Sequence, residues 1–82
     1  MALELATSGI RVNAVAPGPI DTDMLTRFAR TPENKTALMA TVPMNRLGLS
    51  EEVADGIVFI ASDGAQWITG AVLNVDGGMT AN

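Results

Sequence analysis

The 82-residue chain contains no cysteine, no histidine and no tyrosine. Without cysteine it has no disulfide, no thiolate nucleophile and no cysteine-rich metal site. Without histidine it lacks the commonest metal ligand and the commonest general base. The composition therefore predicts no metal site.

Basic residues and long apolar runs are also scarce. Five basic side chains face nine acidic ones, a net charge of −4 that gives nucleic acid or anionic membranes no basic patch to bind. No apolar run approaches the roughly 20 residues of a membrane span, and "MALEL" lacks the basic start of a signal peptide. We predict a cytoplasmic protein without nucleic-acid or membrane partners.

The length sets a limit on the core. A chain of 82 residues forms one small domain at most, and a domain of this size buries only about 60–65% of the surface that its unfolded form exposes. The hydrophobic fraction of 48% is typical of a globular chain. Any missing neighbour would therefore weaken the core.

Helix and strand patterns alternate along the chain. "MALELATSG" is typical of the end of a helix, with Gly9 suited to the left-handed position just beyond it. "IRVNAVA", residues 10–16, predicts a mostly buried parallel strand, because its apolar residues fall on both faces. Pro17, Gly18 and Pro19 end this strand.

The middle of the chain predicts short helices. Asp21 or Thr22 can cap a first helix, and "TPE" at residues 31–33 restarts with a cap and a proline at the first helical position. Three of the five methionines lie in residues 24–44. They indicate either an adaptable apolar surface or ordinary core packing.

The last part predicts one more helix and one more strand. Ser50 starts a helix whose apolar line runs through Val53, Ile57 and Ile60. "AVLNVDGG" alternates as a strand that a glycine pair ends. Two strands joined by some 50 residues containing helices predict an α/β fold with a parallel sheet and a crossover connection.

Four motifs occur together: "ALELATSGIRVNAVAPGPIDTDM", "RLG", "EEVADGIVFIASD" and "ITGAVLNVDGG". Over essentially all 82 residues they resemble the C-terminal third of a short-chain dehydrogenase/reductase of the 3-oxoacyl-carrier-protein reductase and glucose dehydrogenase-like kind. The resemblance implies a partial Rossmann-type doubly wound fold, in which residues 10–16 and 72–76 are the last two strands. Residues 1–82 would be a single incomplete domain, with Met1 inside the sixth helix of a longer enzyme.

The resemblance also implies a cofactor site at the turn after the first strand. Pro17 and Gly18 would pass close to the nicotinamide of NAD or NADP, and the backbone of Ile20 would meet its carboxamide. Thr22 would donate a hydrogen bond to the carboxamide or the pyrophosphate. Residues 22–49 would form a substrate lobe for a small or carrier-bound carbonyl or alcohol, with three apolar lining residues: Met24, Leu25 and Phe28.

The catalytic residues of the family have no counterpart in this chain. Members use a tyrosine as acid or base, a lysine four residues later and a serine that polarises the carbonyl. This sequence has no tyrosine, its single lysine is Lys35, and it has no glycine-rich phosphate-binding turn. We assign no catalytic residue here and expect the chain to be inactive alone.

Other motifs have simpler explanations. Pro17-Gly18 by itself indicates only a strand-ending turn, and the glycine pair after the last strand indicates a turn and not a phosphate loop, because no helix follows it. Asn13 and Arg46 fit structural hydrogen bonding better than ligand contact. The acidic residues fit caps, turns and solvated faces better than catalysis: Asp21, Asp23, Glu51, Glu52 and Asp76.

Three functions remain open. The first is a fragment of an NAD(P)-dependent oxidoreductase. The second is a non-catalytic interaction module that associates through residues 50–76 with itself or with intact relatives, since the family commonly forms homo-oligomers. The third is a cofactor-binding stub without chemistry, which the missing pyrophosphate cradle disfavours. In each case we expect the isolated chain to fold poorly, because one edge of its first strand is open.

Overall fold

The computed structural model describes residues 1–81 as helices around two strands. The elements are, in order, α1 (Ala2–Ala6), β1 (Ala14–Pro17), α2 (Asp23–Ala29), α3 (Pro32–Ala40), α4 (Ser50–Ala61), a 3₁₀ turn (Asp63–Ala65) and β2 (Val72–Val75). β1 and β2 pair in parallel, in a register that runs from Ala14 opposite Val72 to Pro17 opposite Val75. The predicted α/β fold with a parallel crossover is confirmed.

The first strand starts later than predicted. The prediction of a strand over residues 10–16 is wrong at its start, because β1 covers Ala14–Pro17. The backbone of Val12, which precedes β1, is hydrogen-bonded to the loop before β2. Its N–H donates to the Thr69 hydroxyl at 3.1 Å, and its carbonyl accepts from the Gly70 N–H at 2.8 Å. These bonds keep the segment extended without ladder pairing. β1 is also not buried as expected, since its residues are half-buried or exposed.

Two side chains ahead of β1 fix the loop before β2. The Arg11 guanidinium donates to the Ile60 and Ile68 carbonyls at 2.9 and 3.0 Å. The Asn13 amide donates to the Ile68 carbonyl at 3.0 Å and accepts from the Ala71 N–H at 2.9 Å. Polar backbone at the end of α4 and before β2 is thereby satisfied. We call Arg11 and Asn13 the strand clamp.

Threonine caps begin the two helices of the middle segment. The Thr22 hydroxyl accepts from the Leu25 N–H at 3.2 Å, and the Thr31 hydroxyl accepts from the Asn34 N–H at 3.1 Å. Pro32 occupies the first turn of α3 as predicted. Of the two caps considered for α2, the structure uses Thr22.

α4 begins at Ser50 as predicted, but a glutamate supplies its cap. The Leu49 N–H donates to Glu52 Oε1 at 2.9 Å, and Arg46 holds both carboxylate oxygens at 2.7 Å. The hydrogen bonds from Arg46, then that from Leu49, lower the pKa of Glu52 from 4.5 to about 2. Because folding lowers the pKa of Glu52, the ionised carboxylate stabilises the folded chain above pH 4.5, and this stabilisation is lost as the pH falls towards 2.

A glycine places α4 on the sheet. A Cβ at Gly56 would lie 3.1 Å from Val75 Cγ2 and 3.5 Å from Leu73 Cδ2, so the helix approaches β2 at this point. Ile60 is buried beside it, whereas Ile57 is 50% exposed. Ile57 lines an open hollow with Ile60 and with Val15 of β1, so it lies on the predicted apolar line but is only half covered.

The core is small for the length of the chain. Its buried hydrophobic residues are few, namely Ala29, Val42, Leu47, Ile60 and Ala65. The chain exposes 6054 Å², against about 4,650 Å² for a compact monomer of this mass. Its radius of gyration is 15.6 Å, against about 12 Å for a compact domain. The fold therefore leaves apolar surface uncovered on several elements.

We predict that the isolated chain does not unfold cooperatively as a monomer, because the burial is too small to offset the conformational entropy of ordering it. Thermal circular dichroism combined with light scattering after gel filtration tests this. A sharp melt whose midpoint does not depend on concentration, from a monomeric species, would contradict the prediction.

Candidate functional site

The carboxyl ends of the two strands meet at one edge of the sheet, and the candidate site lies there. The Gly18 N–H donates to the Val75 carbonyl at 3.0 Å and continues the pairing past Pro17. A Cβ at Gly18 would lie 2.8 Å from the Cβ of Asp76. A side chain at position 18 would therefore collide with Asp76 at the end of β2. This contact alone requires glycine at position 18, whether or not a ligand binds there.

Asp76 organises the turn after β2. Its carboxylate accepts from the Thr80 hydroxyl at 2.7 Å and from the N–H groups of Gly78 and Thr80 at 3.0 and 3.2 Å. These bonds, the Thr80 hydroxyl first, hold the pKa of Asp76 below its ordinary value. An ionised carboxylate with both oxygens hydrogen-bonded within the turn is an acceptor and not a proton donor, so the structure supports the turn interpretation of Asp76.

The glycine pair after β2 contacts protein. Gly77 has a φ of +63°, and a Cβ there would lie 2.7 Å from Val42 Cγ1. A Cβ at Gly78 would lie 3.2 Å from the Pro43 ring, and the Gly77 carbonyl accepts from the Met44 N–H at 3.2 Å. These contacts agree with a turn, and they anchor the end of the middle segment to the sheet.

Ile20 presents backbone polar groups beside the sheet edge. It forms an isolated parallel bridge with Gly48, in which Gly48 N–H donates to the Pro19 carbonyl at 3.0 Å and Asp21 N–H donates to the Gly48 carbonyl at 2.8 Å. In a parallel bridge, the residue between the two bonded ones directs its own N–H and C=O away from the partner strand. Here that residue is Ile20, and the partner is Gly48. Within residues 1–81, neither the N–H nor the C=O of Ile20 has a hydrogen-bond partner. A donor and an acceptor are therefore available together.

The Thr22 hydroxyl also has unused capacity. Its oxygen accepts from the Leu25 N–H, which occupies a lone pair and leaves the O–H proton for a further acceptor. Thr22 is exposed and lies two residues after Ile20. The turn thus offers one N–H, one C=O and one O–H within three residues.

A cleft of about 290 Å³ adjoins this turn. Five apolar residues contribute to its wall, namely Ile20, Val42, Met44, Val53 and Val75. Pro17, Gly18 and Thr22 do not line it. The structure therefore brings Ile20 alone, of the four residues predicted for the cofactor, into the cleft.

The middle segment exposes the apolar residues predicted for the substrate lobe. Met24 and Phe28 are 80% and 83% exposed, and their spacing of four places both on one face of α2. Leu25 is half-buried. The substrate role of residues 22–49 stays a prediction, while the exposed apolar pair matches a surface that needs a covering partner.

Two residues considered earlier as ligand contacts have structural partners. Asn13 belongs to the strand clamp, and Arg46 pairs with Glu52. Among residues 1–81, no group of three or more acidic side chains could hold a metal ion. Over the same residues, no helix is long and apolar enough to cross a bilayer.

Sequence reasoning missed two side chains. The role of Arg11 in holding backbone carbonyls gave no sequence signal, since a lone arginine in a strand pattern resembles a solvated residue. Lys35 was noted only as the single lysine. The structure places its Nζ 3.1 Å from Asp21 Oδ1 and 3.4 Å from the Thr26 hydroxyl.

Known proteins match nearly the whole length of the chain. A family model described as enoyl-(acyl carrier protein) reductase matches residues 1–80. The glucose 1-dehydrogenase of Gluconobacter oxydans strain 621H is 50% identical over 80 residues, which are 98% of this chain and 30% of that enzyme. The 3-oxoacyl-(acyl-carrier-protein) reductase FabG of Escherichia coli strain K12 is 49% identical over 79 residues, 96% of this chain and 32% of that enzyme. The chain thus spans about a third of the length of these relatives.

A solved structure gives the same assignment. A short chain dehydrogenase family protein from Francisella tularensis subsp. tularensis SCHU S4 superimposes with a TM-score of 0.88 at 34% identity, over 99% of this chain and 37% of that chain. The architecture is therefore part of a Rossmann-type α/β fold. The chain belongs to the short-chain dehydrogenase/reductase family of oxidoreductases.

Proposed function

We propose that this chain supplies one wall of the nicotinamide site and the substrate lobe of an NAD(P)-dependent oxidoreductase that interconverts alcohols and carbonyls. Pro17, Gly18, Ile20 and Thr22 form the wall, and residues 22–49 form the lobe. The substrate is a small or carrier-bound carbonyl or alcohol. A cytoplasmic location stays a prediction from the sequence.

The observation that carries this proposal is the pair of free backbone groups on Ile20. A nicotinamide carboxamide has one carbonyl acceptor and an NH₂ donor, so one peptide N–H and one peptide C=O match it. The bridge to Gly48 uses the Pro19 carbonyl and the Asp21 N–H, and it leaves the N–H and C=O of Ile20 available. The Thr22 O–H adds a donor for the carboxamide or for a pyrophosphate oxygen.

The chain's own residues bind and orient in this proposal. The nicotinamide, when bound, donates or accepts the hydride. Ile20 and Thr22 would hold the carboxamide and so fix which face of the ring meets the substrate. No residue of this chain transfers a proton to the reacting oxygen, since the family's tyrosine has no counterpart in the sequence.

We predict that the purified chain alone does not oxidise NADH or NADPH in the presence of a 3-oxoacyl thioester. The missing tyrosine removes the group that protonates the developing alkoxide. Absorbance of the reduced nicotinamide over time is the measurement. Turnover above the protein-free rate, retained through repurification, would show that the chain carries a catalyst of its own.

The wall is testable in a chimera in which this chain replaces the matching third of the Escherichia coli reductase. We predict that the chimera is active and that Thr22→Ala raises its KM for the nicotinamide cofactor about threefold to tenfold, the equivalent of one hydrogen bond. Steady-state kinetics with varied cofactor is the measurement. Thr22→Ser keeps the hydroxyl and should restore the KM.

Thr31→Ala is the matched control for Thr22→Ala. Both threonines cap a helix through the N–H three residues later, so both substitutions cost about 1 kcal/mol of helix capping. Only Thr22 lies on the proposed wall. An equal rise in cofactor KM for the two variants would assign the effect to capping and remove Thr22 from the site.

The uncovered surface of α4 and β2 supports a second candidate, an interaction module formed by residues 50–76. Val58 and Val72 are 68% and 62% exposed, and Phe59 is 53% exposed. Val58 and Phe59 are neighbours on α4, and exposed apolar surface of this kind marks association surfaces. The partner would be a second copy of this chain or an intact relative.

We predict that Val58→Asp abolishes co-purification of this chain with tagged full-length Escherichia coli reductase, because a carboxylate would be buried unpaired at the interface. Leu3→Asp is the control, since Leu3 is 90% exposed and lies outside residues 50–76. Equal retention of both variants would place the interface elsewhere.

A further inference from the structure

Lys35 joins three parts of the chain that the backbone separates. Lys35 belongs to α3. Its Nζ lies 3.1 Å from Asp21 Oδ1, in the turn after β1, and 3.4 Å from the Thr26 hydroxyl oxygen, on α2. Its side chain is 30% exposed, and that of Asp21 is 47% exposed. One ammonium group therefore bridges the lobe to the residue next to Thr22.

The two lobe helices already form one unit without Lys35. The Asn34 side chain donates to the Ala29 carbonyl at 2.7 Å, and the Thr31 N–H donates to the same carbonyl at 2.9 Å. Arg30, between the helices, has a φ of +69°. These contacts fix α3 relative to α2 and leave the orientation of the pair relative to the sheet edge to other contacts.

The ends of the lobe are held differently. The Ile20–Gly48 bridge closes its base, and the Met44 N–H bond to the Gly77 carbonyl anchors its last part. Within residues 1–81, the Lys35–Asp21 pair is the sole ion pair between the two lobe helices and the turn. Because the Asp21 N–H also donates to the Gly48 carbonyl, the ion pair ties α3 directly to the base of the lobe and so restrains the tilt of the helix pair.

We propose that Lys35 is a positioning residue that latches the lobe to the turn after β1 by bridging Asp21 and Thr26. This inference rests on the proposed function for its consequence, namely that the latch places Met24 and Phe28 over the substrate beside the nicotinamide wall. The latch itself is a property of the fold. It depends on charge, because the ammonium and carboxylate are partly solvated and screened by salt.

Amide hydrogen exchange in the chimera tests the latch. We expect Lys35→Gln and Asp21→Asn each to speed exchange in residues 23–40 by about twofold to fivefold, the range of a partly exposed ion pair. The double variant should match Lys35→Gln, since that variant already leaves Asp21 without its ion-pair partner. Lys35→Arg should restore the wild-type rate, and exchange in α4 should not change.

Arg27→Gln is the charge-matched control. Arg27 lies on α2 and makes no ion pair within residues 1–81, so its removal changes the net charge of the lobe without touching the latch. An ionic strength of about 1 M, where the Debye length is about 3 Å, should bring wild-type exchange close to that of Lys35→Gln. Wild-type rates in Lys35→Gln, or additive effects in the double variant, would overturn the proposal.

Kinetics separate the latch from the proposed function. If both hold, Lys35→Gln raises the KM for the carbonyl substrate about twofold to fivefold, with the KM for the nicotinamide cofactor unchanged. An inactive but folded chimera that keeps the exchange pattern would contradict the proposed function and support the latch. An active chimera whose amide exchange is the same in wild type and Lys35→Gln would support the proposed function and contradict the latch.

Discussion

The parallel pairing of β1 with β2 is the constraint on which the rest of the structure depends. The two strands lie far apart in sequence, and each is four residues long. Such a short ladder supplies few bonds of its own, so the strand clamp of Arg11 and Asn13 fixes the register from outside it. With the register fixed, Gly18 meets Asp76, and the turn after β1 takes its position from that contact.

The same pairing explains where apolar surface stays uncovered. α4 covers one face of β2 through Gly56, while Val58 on its opposite side and Phe59 on its flank are exposed. On the sheet's other face Val72 is 62% exposed. A parallel sheet needs helices on both faces, and Val72 marks the face that lacks one within residues 1–81.

The sequence predicted what has a local cause and missed what depends on distant partners. Thr31-Pro32 and the glycine just past α1 are local signals, and both elements lie as predicted. The start of β1 and the strand clamp depend on contacts between segments about 50 residues apart, which periodicity does not encode. The positions of the candidate site were predicted from family motifs. The free N–H and C=O of Ile20 could not be predicted, because they follow from its bridge to Gly48.

That bridge links the geometry to the chemistry. A parallel bridge uses the polar groups of Gly48 and spares those of Ile20, so the contact that closes the base of the lobe also leaves a donor and an acceptor together. A Cβ at Gly48 would lie 2.9 Å from Ile20 Cδ1, so a larger residue there would displace the end of the Ile20 side chain. Under the proposed function, this one backbone contact would couple the position of the lobe to recognition of the carboxamide. Loss of the bridge would disturb both together, whereas a substitution at Lys35 would act on the helix pair and leave the hydrogen bonds of Gly48 in place.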